Sequence, residues 1–517
     1  MPLNGAMAAD TCAYLLRRRI EAGDGARVAI RCAGRDLTYH EVAQGVETVA
    51  AALLRDGLRA EERVLILLPD SPHWVLSFLG AMRAGLVAVP VSTMLTAADL
   101  AFLAADSRAR AALVHQRFTP VIEGLAGSGS LDLVVTLGGE DGPPPHLGAT
   151  PTTTWERWID MPAAPAAPSA ATAEHSAFWL YTSGTTGSPK GAMHRHGDIP
   201  YTCETYGTQV LGITRDDRTF SVARLFFAYG LGNSLSFPFS AGATAILDPR
   251  PPTPATVIDT LVTERPTLFF GTPTFYAALL AADVPPEAFA SVRLCVSAGE
   301  TLPDAVYERF MERTGVQIVD GIGSTEALHI FLSNRPGEPR RGTTGVPVPG
   351  YSVRLVDDAG ADVGDGVEGH LLVRGESVCT GYWNRTAVNR RTFLGEWMRT
   401  GDVFVRDGDG GHSYRGRSDD MLKSGGIWVS PAEIEGVIVQ HPGVVEAAVV
   451  GEKDAVDGIE RPVAHVVRRL DSALTEEQLV AFVCERLASF KRPRRIVFTA
   501  ELPKTATGKI QRYRLRH

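Results

Sequence analysis

The chain has 517 residues, of which 44% are hydrophobic and 21% charged, and its formal net charge at pH 7 is -8. Because it lacks a basic field, it is not expected to bind nucleic acid, and its partners should be small molecules. One hydrophobic core rarely supports this length, so at least two domains are expected. Its six cysteines include no C-x-x-C pair, which indicates reduced thiols and a cytoplasmic location. The first residues do not resemble a signal peptide, and no apolar run approaches the roughly 20 residues of a membrane span, so no membrane association is expected.

Short apolar runs alternate with helical patterns through the first part of the chain. Strands are predicted at 28–30 and 35–37, followed by a helix that Thr38 caps, and another helix should begin at Ser71-Pro72. Such alternation with apolar runs predicts a buried parallel sheet in a doubly wound α/β arrangement. Residues 142–176 are rich in Pro, Ala and Thr, and we expect an exposed connection there.

The character of the sequence changes twice after the α/β part. Residues 345–411 carry short alternating strands with Gly and Asp turns, which predict a β-barrel-like subdomain. A charged junction at 417–420 precedes a compact α+β piece of ordinary domain size. The predicted organisation is therefore a large N-terminal domain over 1–417 and a small C-terminal domain over 418–517.

A stretch rich in glycine and hydroxyl groups follows the apolar run 177–180. Residues 181–191 read YTSGTTGSPKG, and such glycines let backbone N–H groups close on an anion while hydroxyls and a lysine add donors. A Walker loop would need Ser or Thr after its lysine. A flexible turn is the simpler alternative, but the whole run after a strand predicts a phosphate-binding loop. Its predicted ATP contacts are Thr182, Ser183, Gly184, Thr185, Thr186, Gly187 and Lys190.

This stretch resembles the signature loop of the adenylate-forming superfamily of acyl-CoA synthetases, peptide-synthetase adenylation domains and luciferases. The resemblance implies that a carboxylate is joined to the α-phosphate of ATP with release of pyrophosphate, and that the acyl group then passes to a thiol. The superfamily's further motifs follow in its order over essentially the whole chain. The implied cofactors are ATP, Mg²⁺ and coenzyme A, or the phosphopantetheine of a carrier protein.

Two segments of small residues, 297–300 and 320–326, resemble the nucleotide-binding segments of the superfamily. The resemblance gives Thr325 the α-phosphate and Glu326 the Mg²⁺ ion, a hard cation that prefers oxygen ligands. A Gly-rich turn before a capped helix is the alternative interpretation of 324–326. The other predicted nucleotide contacts are Ala298, Gly299, Glu300, Asp320, Gly321 and Ile322.

An aromatic segment, FFAYG at 226–230, lies where related enzymes line the acyl pocket, although aromatic residues are often buried for packing alone. It contains no acidic residue, so the ammonium group of an amino acid substrate would have no partner. If 327–331 is helical, residues three and four after Glu326 lie on its face. We assign His329 to the pocket wall and not to acid–base chemistry. The predicted substrate contacts are Phe226, Ala228, Tyr229, Gly230, Gly323, His329 and Ile330.

The remaining motifs also carry roles implied by the resemblance. Asp402 would accept from both ribose hydroxyls with the help of Arg417, and Asp419 would be the hinge before a mobile C-terminal domain. The segment with Lys423, Gly425 and Gly426 would line a narrow thiol channel. Lys509 in the motif TGKI is the predicted catalytic residue, because an ammonium group near the α-phosphorus stabilises the negative charge that grows there.

Segments 226–233 and 320–331 resemble those of benzoate–CoA ligases. The prediction is an ATP-dependent benzoate–CoA ligase, present as a monomer or homodimer, that forms benzoyl adenylate before the thioester. A ligase that loads a separate acyl carrier protein is an alternative, as is a medium-chain or other aryl acyl-CoA synthetase. A nucleotide-binding sensor without turnover belongs to another class, and it would not require Lys509 on a mobile domain.

Overall fold

The structure is a computed structural model. It describes residues 10–126, 130–138, 147–148, 150–167, 170–182, 189–338, 340–418, 422–424, 427–453, 460–469, 472–487, 492–504 and 510–516. The chain forms two compact units, Met1–Ser352 with Arg374–Met398, and Val353–Val373 with Arg399–His517. The boundary at residue 417 stays a prediction.

Strands and helices alternate along much of the chain. The strands are β1 Val28–Cys32, β2 Arg35–Thr38, β3 Arg63–Leu67, β4 Val87–Pro90, β5 Ala109–His115, β6 Leu133–Leu137, β7 Thr152–Thr154, β8 Ser176–Thr182, β9 Lys190–Arg195, β10 Arg218–Ser221, β11 Thr244–Leu247, β12 Leu268–Gly271, β13 Leu294–Ser297, β14 Ile318–Gly323, β15 Ile330–Ser333, β16 Val346–Pro347, β17 Ser352–Val356, β18 Glu368–Arg374, β19 Phe393–Leu394, β20 Trp397–Arg406, β21 His412–Arg417, β22 Leu422–Ser424, β23 Ile427–Val429, β24 Val444–Lys453, β25 Glu460–Arg468 and β26 Arg495–Thr499. The α-helices are α1 Tyr39–Arg55, α2 Pro72–Arg83, α3 Ala97–Ser107, α4 Thr119–Ile122, α5 Trp155–Asp160, α6 Asp198–Thr202, α7 Ala228–Leu231, α8 Phe237–Ala241, α9 Pro254–Glu264, α10 Pro273–Ala281, α11 Asp304–Thr314, α12 Thr386–Thr392, α13 Pro431–Ile438 and α14 Glu476–Cys484. Short π-helical segments cover Ala13–Arg17, Ile20–Asp24, Cys203–Thr208 and Gly232–Ser236, and 3₁₀ turns cover Gln116–Phe118, Glu123–Leu125, Pro286–Phe289 and Arg512–Arg514.

The first unit contains two large sheets with mostly parallel strands. One has the order β16-β15-β14-β13-β12-β10-β11-β1-β2, and the other has the order β7-β6-β5-β3-β4-β8-β9. Neighbours such as β12 and β13, or β3 and β5, run parallel, while β14–β15 and β8–β9 are antiparallel. Apolar strand residues such as Leu65, Val89 and Phe269 are fully buried, as expected for parallel strands that helices cover. The α/β fold class is confirmed.

Local signals predicted several helix starts in the first unit correctly. The Thr38 hydroxyl accepts from the N–H of Glu41, whose side chain accepts in return from the N–H of Thr38, so α1 begins with a capping box. Ser71 caps α2, and Pro72 occupies the first turn, where its missing N–H costs nothing. Sequence features of the first turn were therefore sufficient to place these helices.

The prediction of an exposed connection over 142–176 was wrong for its central part. Residues 152–160 form β7 and α5, and the side chains of Trp155 and Trp158 are buried. The indole N–H of Trp158 donates to Asp56 Oδ2 at 2.6 Å. Two large aromatic surfaces removed from water outweigh the loop-like composition of the flanking residues.

The second unit contains smaller sheets. Strands β17, β18, β20 and β21 belong to one sheet, in which β21 pairs with β20. Among the strands described, this sheet is open and branched, whereas a barrel-like subdomain was predicted. Strands β22 and β23 form an antiparallel pair. A third sheet has the order β24-β25-β26, with β24 antiparallel and β26 parallel to β25. An aliphatic core joins this sheet to α13 and α14 through residues such as Val449, Ile434 and Leu479.

Within the part of the chain that the structure describes, no helix is long and apolar enough to cross a membrane.

Candidate functional site

The predicted nucleotide-binding residues lie at the carboxyl ends of neighbouring parallel strands. Ser297 at the end of β13 is paired with Asp320 on β14, so the segments that follow these residues lie side by side. Open α/β sheets bind ligands at this edge. Gly299 has φ +94°, a conformation that glycine adopts without strain. The Glu300 carboxylate accepts from the hydroxyl of Thr274 at 2.6 Å and from its N–H at 3.2 Å.

Two glycines on β14 allow a close approach of backbone and side chains. A Cβ on Gly323 would lie 2.4 Å from the carbonyl oxygen of His329, and one on Gly321 would lie 2.8 Å from Ile330. Burial raises the pKa of Asp320 to about 7. The edge next to β14 is therefore narrow and low in dielectric, as expected for a flat ligand.

The segment after Glu326 is a turn followed by a strand, so the predicted helical arrangement of 327–331 was wrong. Leu328 has φ +68°, which is outside the right-handed helical region, and Ile330 begins β15. The N–H of Leu328 donates to the carbonyl of Thr325 at 3.2 Å. Residues from Ile330 onward pair with β14 as strand β15 and do not form a helix. This pairing places His329 and Ile330 beside Gly323.

Donors from other segments hold three successive carbonyl groups of the turn 325–327. His194 Nε2 donates to the carbonyl of Thr325 at 2.8 Å. The N–H of Cys379 donates to the carbonyl of Glu326 at 2.7 Å, and the Ser377 hydroxyl donates to that of Ala327 at 2.7 Å. These bonds fix the backbone, while the side chain of Glu326 accepts from the Tyr382 hydroxyl. The conformation of the turn is therefore held by tertiary hydrogen bonds to its backbone.

The histidine that contacts this turn belongs to a buried network. His194 and Asp198 have no exposed side-chain surface, and His194 Nδ1 lies 2.9 Å from Asp198 Oδ2. Arg195 approaches the same carboxylate, with Nε 3.1 Å from Oδ1. The ring of His194 also stacks on Phe178 at a centroid distance of 5.0 Å. The network thus connects β8 and β9 to the turn.

The ends of the predicted phosphate loop are well defined. Thr182 at the end of β8 pairs with Lys190 at the start of β9, so the strands bring both ends of the loop together. Lys190 Nζ lies 4.9 Å from the centre of the Tyr382 ring, and the Tyr382 hydroxyl donates to Glu326 Oε1 at 2.6 Å. The predictions for Ser183, Gly184, Thr185, Thr186 and Gly187 lie outside the described residues.

The donor set around Glu326 fits a magnesium ion bound mainly by its substrate. Among the described residues, no group of three or more His, Cys, Asp or Glu side chains could hold a metal on its own. Mg²⁺ commonly takes one or two carboxylates together with phosphate oxygens and waters. A single glutamate that shares the Tyr382 side chain with Lys190 is consistent with that pattern.

Two of the predicted substrate residues, Tyr229 and His329, form an aromatic cluster with Phe237, which was not predicted, and none of the three is acidic. Tyr229 on α7 and His329 have ring centroids 5.5 Å apart, and Phe237 packs against His329 at 4.5 Å. The Tyr229 hydroxyl donates to backbone, 3.1 Å from the carbonyl oxygen of Val296. Phe226 and Ala228, which precede Tyr229 in the sequence, are buried. Gly230 lies against the carbonyl oxygen of Arg224.

His329 is an uncharged member of this cluster. Its Nε2 lies 3.1 Å from Asn233 Oδ1, and burial lowers the pKa of His329 to about 3. An imidazole with so low a pKa binds a proton too weakly to be an efficient general base near neutral pH. Gly232 is required beside it, because a Cβ there would lie 2.3 Å from His329 Cδ2.

In the second unit, the predicted ribose motif is already joined by an ion pair. Arg417 Nη1 lies 2.9 Å from Asp402 Oδ1, and it also donates to the carbonyl of Thr400 at 2.9 Å. Gly401 between them has φ +80°, which favours glycine. Lys423 lies on β22. The predictions for Asp419, Gly425, Gly426 and Lys509 lie outside the described residues.

Sequence reasoning missed the residues that support the site. His194, Asp198, Ser377 and Tyr382 were not predicted, because their partners are distant in sequence. The only local signals were the Met-His-Arg-His run after Lys190 and the aromatic pair after Gly381. The predicted roles of the site residues themselves stay predictions.

Comparisons with known proteins agree with this geometry. The family described as AMP-binding enzyme matches residues 16–383, and its C-terminal domain matches residues 433–509. A benzoate–CoA ligase of Thauera aromatica is 44% identical over 97% of this chain and 94% of its own length. A benzoate CoA ligase structure from Burkholderia xenovorans has a TM-score of 0.89 at 44% identity and covers 98% of this chain and 100% of the other. An anthranilate CoA ligase solved with anthranoyl-AMP has a TM-score of 0.90 at 40% identity, with 98% and 97% coverage. The chain belongs to the adenylate-forming, AMP-binding enzyme family.

Proposed function

We propose that this enzyme converts benzoate, ATP and coenzyme A into benzoyl-CoA, AMP and pyrophosphate through benzoyl adenylate. The enzyme is an AMP-forming acid–thiol ligase for aryl acids, as family membership and the near full-length similarity to a benzoate–CoA ligase support. The observation that carries benzoate is the uncharged aromatic cluster of Tyr229, Phe237 and His329 beside the turn 325–327. Such a cluster favours a flat apolar ring and offers no partner for an ammonium group.

The described residues divide the first half-reaction between them. The aromatic cluster would bind the ring, and the turn 325–327 would place the Thr325 hydroxyl at the α-phosphate. Glu326 would hold Mg²⁺, which supplies charge neutralisation for the phosphates when bound. Lys190 would donate to phosphate oxygens from the start of β9. Because three tertiary hydrogen bonds hold the turn, its donors need little reorganisation during the reaction.

The motifs toward the C-terminus would act in both half-reactions. Asp402 and Arg417 would bind ribose, and Lys509 would contact the carboxylate and α-phosphate during adenylation. Rotation about Asp419 would then present the segment of Lys423, Gly425 and Gly426 to the incoming thiol. A carrier-protein pantetheine is the alternative acceptor, since it carries the same thiol. Oligomeric state, as monomer or homodimer, and cytoplasmic location stay predictions.

A substrate and acceptor panel tests the proposal. We expect unsubstituted benzoate to have a higher kcat/KM than hydroxybenzoates or octanoate, measured by pyrophosphate release. An apolar pocket rejects an added hydroxyl only by about 100-fold, so residual hydroxybenzoate activity is expected, while octanoate should fail on shape. Thioester formation is then compared with coenzyme A and a phosphopantetheinylated carrier protein. A clear preference for octanoate would contradict the aryl assignment, and absence of pyrophosphate release with every acid would favour a nucleotide sensor.

A further inference from the structure

Tyr382 lies between the two charged groups that the proposed function assigns to the nucleotide. Its hydroxyl donates to Glu326 Oε1 at 2.6 Å, and Lys190 Nζ lies over its ring at 4.9 Å from the centroid. The residue is buried, with 5% of its surface exposed. One side chain therefore contacts the phosphate-loop lysine through its π face and the proposed metal ligand through its hydroxyl.

The backbone of Tyr382 is fixed independently of these two contacts. Its N–H donates to Asn389 Oδ1 at 2.8 Å, and the Asn389 amide donates back to the Tyr382 carbonyl at 2.9 Å. An antiparallel bridge joins it to Ala192 on β9, and its ring packs on Phe393 at 5.5 Å. A side chain held in this way can impose positions on Lys190 and Glu326.

The alternative arrangement for these two groups would be a direct ion pair. Among the described residues, Lys190 Nζ lies over the Tyr382 ring and Glu326 Oε1 accepts from the Tyr382 hydroxyl, and no ion pair joins the two charged groups directly. Opposite charges at the edge of a protein interior attract strongly, and a direct pair would neutralise the positive charge needed for phosphate and the negative charge needed for a metal. A neutral phenol satisfies one carboxylate oxygen and attracts the ammonium without removing either charge.

We propose that Tyr382 is a positioning residue that keeps Lys190 and Glu326 apart and aims the second carboxylate oxygen at the nucleotide-bound metal ion. This inference rests on the proposed function, because that function assigns phosphate to Lys190 and Mg²⁺ to Glu326. It adds a role for a residue that contacts neither the acyl group nor the α-phosphorus. Residues that orient a metal ligand commonly change metal affinity by 10–100-fold when they are replaced.

Two substitutions separate the two contacts. Tyr382→Phe removes the hydroxyl but keeps the ring under Lys190, whereas Tyr382→Leu removes both. We expect Tyr382→Phe to weaken Mn²⁺ binding to the enzyme–ATP complex about tenfold, measured by electron paramagnetic resonance, and to raise the Mg²⁺ concentration for half-maximal pyrophosphate release similarly. Metal-free ATP should bind Tyr382→Phe within about twofold of the unaltered enzyme and Tyr382→Leu more weakly, measured by calorimetry.

A matched control tests for a general structural effect. Tyr201 is also buried in the first unit, and its hydroxyl donates to the Gly350 carbonyl at 2.6 Å. Tyr201→Phe loses a hydrogen bond of equal length but should leave Mn²⁺ affinity unchanged. A double-mutant cycle with Glu326→Gln completes the test, since Tyr382→Phe should cause no further loss of metal affinity when the carboxylate is already absent.

The outcomes distinguish this inference from the proposed function. Unchanged Mn²⁺ affinity in Tyr382→Phe, or equal losses with and without Glu326→Gln, would overturn the positioning role. If the expected metal effects occur but benzoate gives no pyrophosphate while another acid does, the substrate assignment fails and the role of Tyr382 stands.

Discussion

Replacement of Gly323 by alanine should lower the activity, although Gly323 is not one of the predicted phosphate contacts. Gly323 ends β14 and pairs with Ile330 on β15. Its added Cβ would lie 2.4 Å from the carbonyl oxygen of His329, 2.6 Å from the carbonyl carbon and 2.8 Å from the N–H nitrogen of Ile330. All three are backbone atoms, so no side-chain rotation relieves the clash, and β14 and β15 must separate.

The expected magnitude follows from this separation. Overpacking commonly costs about 1–3 kcal/mol, which is roughly 5–150-fold in an equilibrium at 1.36 kcal/mol per factor of ten. Only Ser324 separates Gly323 from the turn 325–327, so a displacement of β14 reaches the turn. A displacement near 1 Å at a reacting centre can cost about 100-fold in rate. We therefore expect Gly323→Ala to lower kcat/KM for benzoate-dependent pyrophosphate release about 100-fold and to lower the unfolding temperature.

Pyrophosphate release and thermal unfolding are measured on Gly323→Ala and on Gly364→Ala. Gly364 is a suitable control because its added Cβ would have no neighbour within 4 Å. We expect the control to retain both properties. If Gly323→Ala also kept wild-type activity and unfolding temperature, the close approach of β14 to β15, and the explanation of the turn that depends on it, would be refuted.

Four further predictions address other parts of the chain. Lys509→Ala should lower benzoyl-adenylate formation by about 100-fold or more, a loss of ~3 kcal/mol, while transfer from supplied adenylate stays largely intact; rapid-quench assays of both half-reactions check this, and equal losses would argue against the assigned role. Asp419→Pro should slow thioester formation selectively, since proline restricts a hinge torsion, and an unaltered rate from added adenylate would place the hinge elsewhere. Gly232→Ala should displace His329, whose Cδ2 would lie 2.3 Å from the new Cβ, and raise KM for benzoate about tenfold with KM for ATP unchanged in steady-state titrations. Burial raises the pKa of Asp70 to about 6. The protonated carboxyl group therefore contributes to the stability of the fold below about pH 4, and this contribution is lost as the pH rises through 6. Urea unfolding of Asp70→Asn should accordingly show a shallower loss of stability between pH 4 and pH 6 than unfolding of the unaltered enzyme.

The parts of the fold that sequence predicted have local causes. Thr38 and Ser71 cap their helices with bonds to residues three positions later, so the signal lies within one turn. Apolar runs predicted the buried parallel strands because both faces of such strands are covered. The segment 152–160 was missed because its stability comes from burying Trp158 against distant residues such as Asp56, which composition does not encode.

Motif resemblance placed the nucleotide segments along the sequence, but the conformation of 327–331 required the structure. The residues Leu328, His329 and Ile330 are compatible with a helix when only neighbours are considered. Pairing of Ile330 with Gly323 makes the segment a strand, because the hydrogen bonds of a sheet edge outweigh weak local propensity. The same pairing brings His329 into the aromatic cluster.

The supporting residues were the least predictable, and the reason lies in how a binding turn must be built. The side chains of Thr325 and Glu326 can act on a ligand only if they are not used to fold the turn, so the turn must be fixed through its backbone. Its carbonyl groups accept bonds from residues about 50 to 131 positions away in sequence, on segments that carry no chemical signature of their own. Removal of the Ser377 hydroxyl would take this donor from the Ala327 carbonyl at a cost of about 1–3 kcal/mol. We therefore expect His194, Ser377 and the N–H of Cys379 to support the proposed reaction through the backbone of the turn.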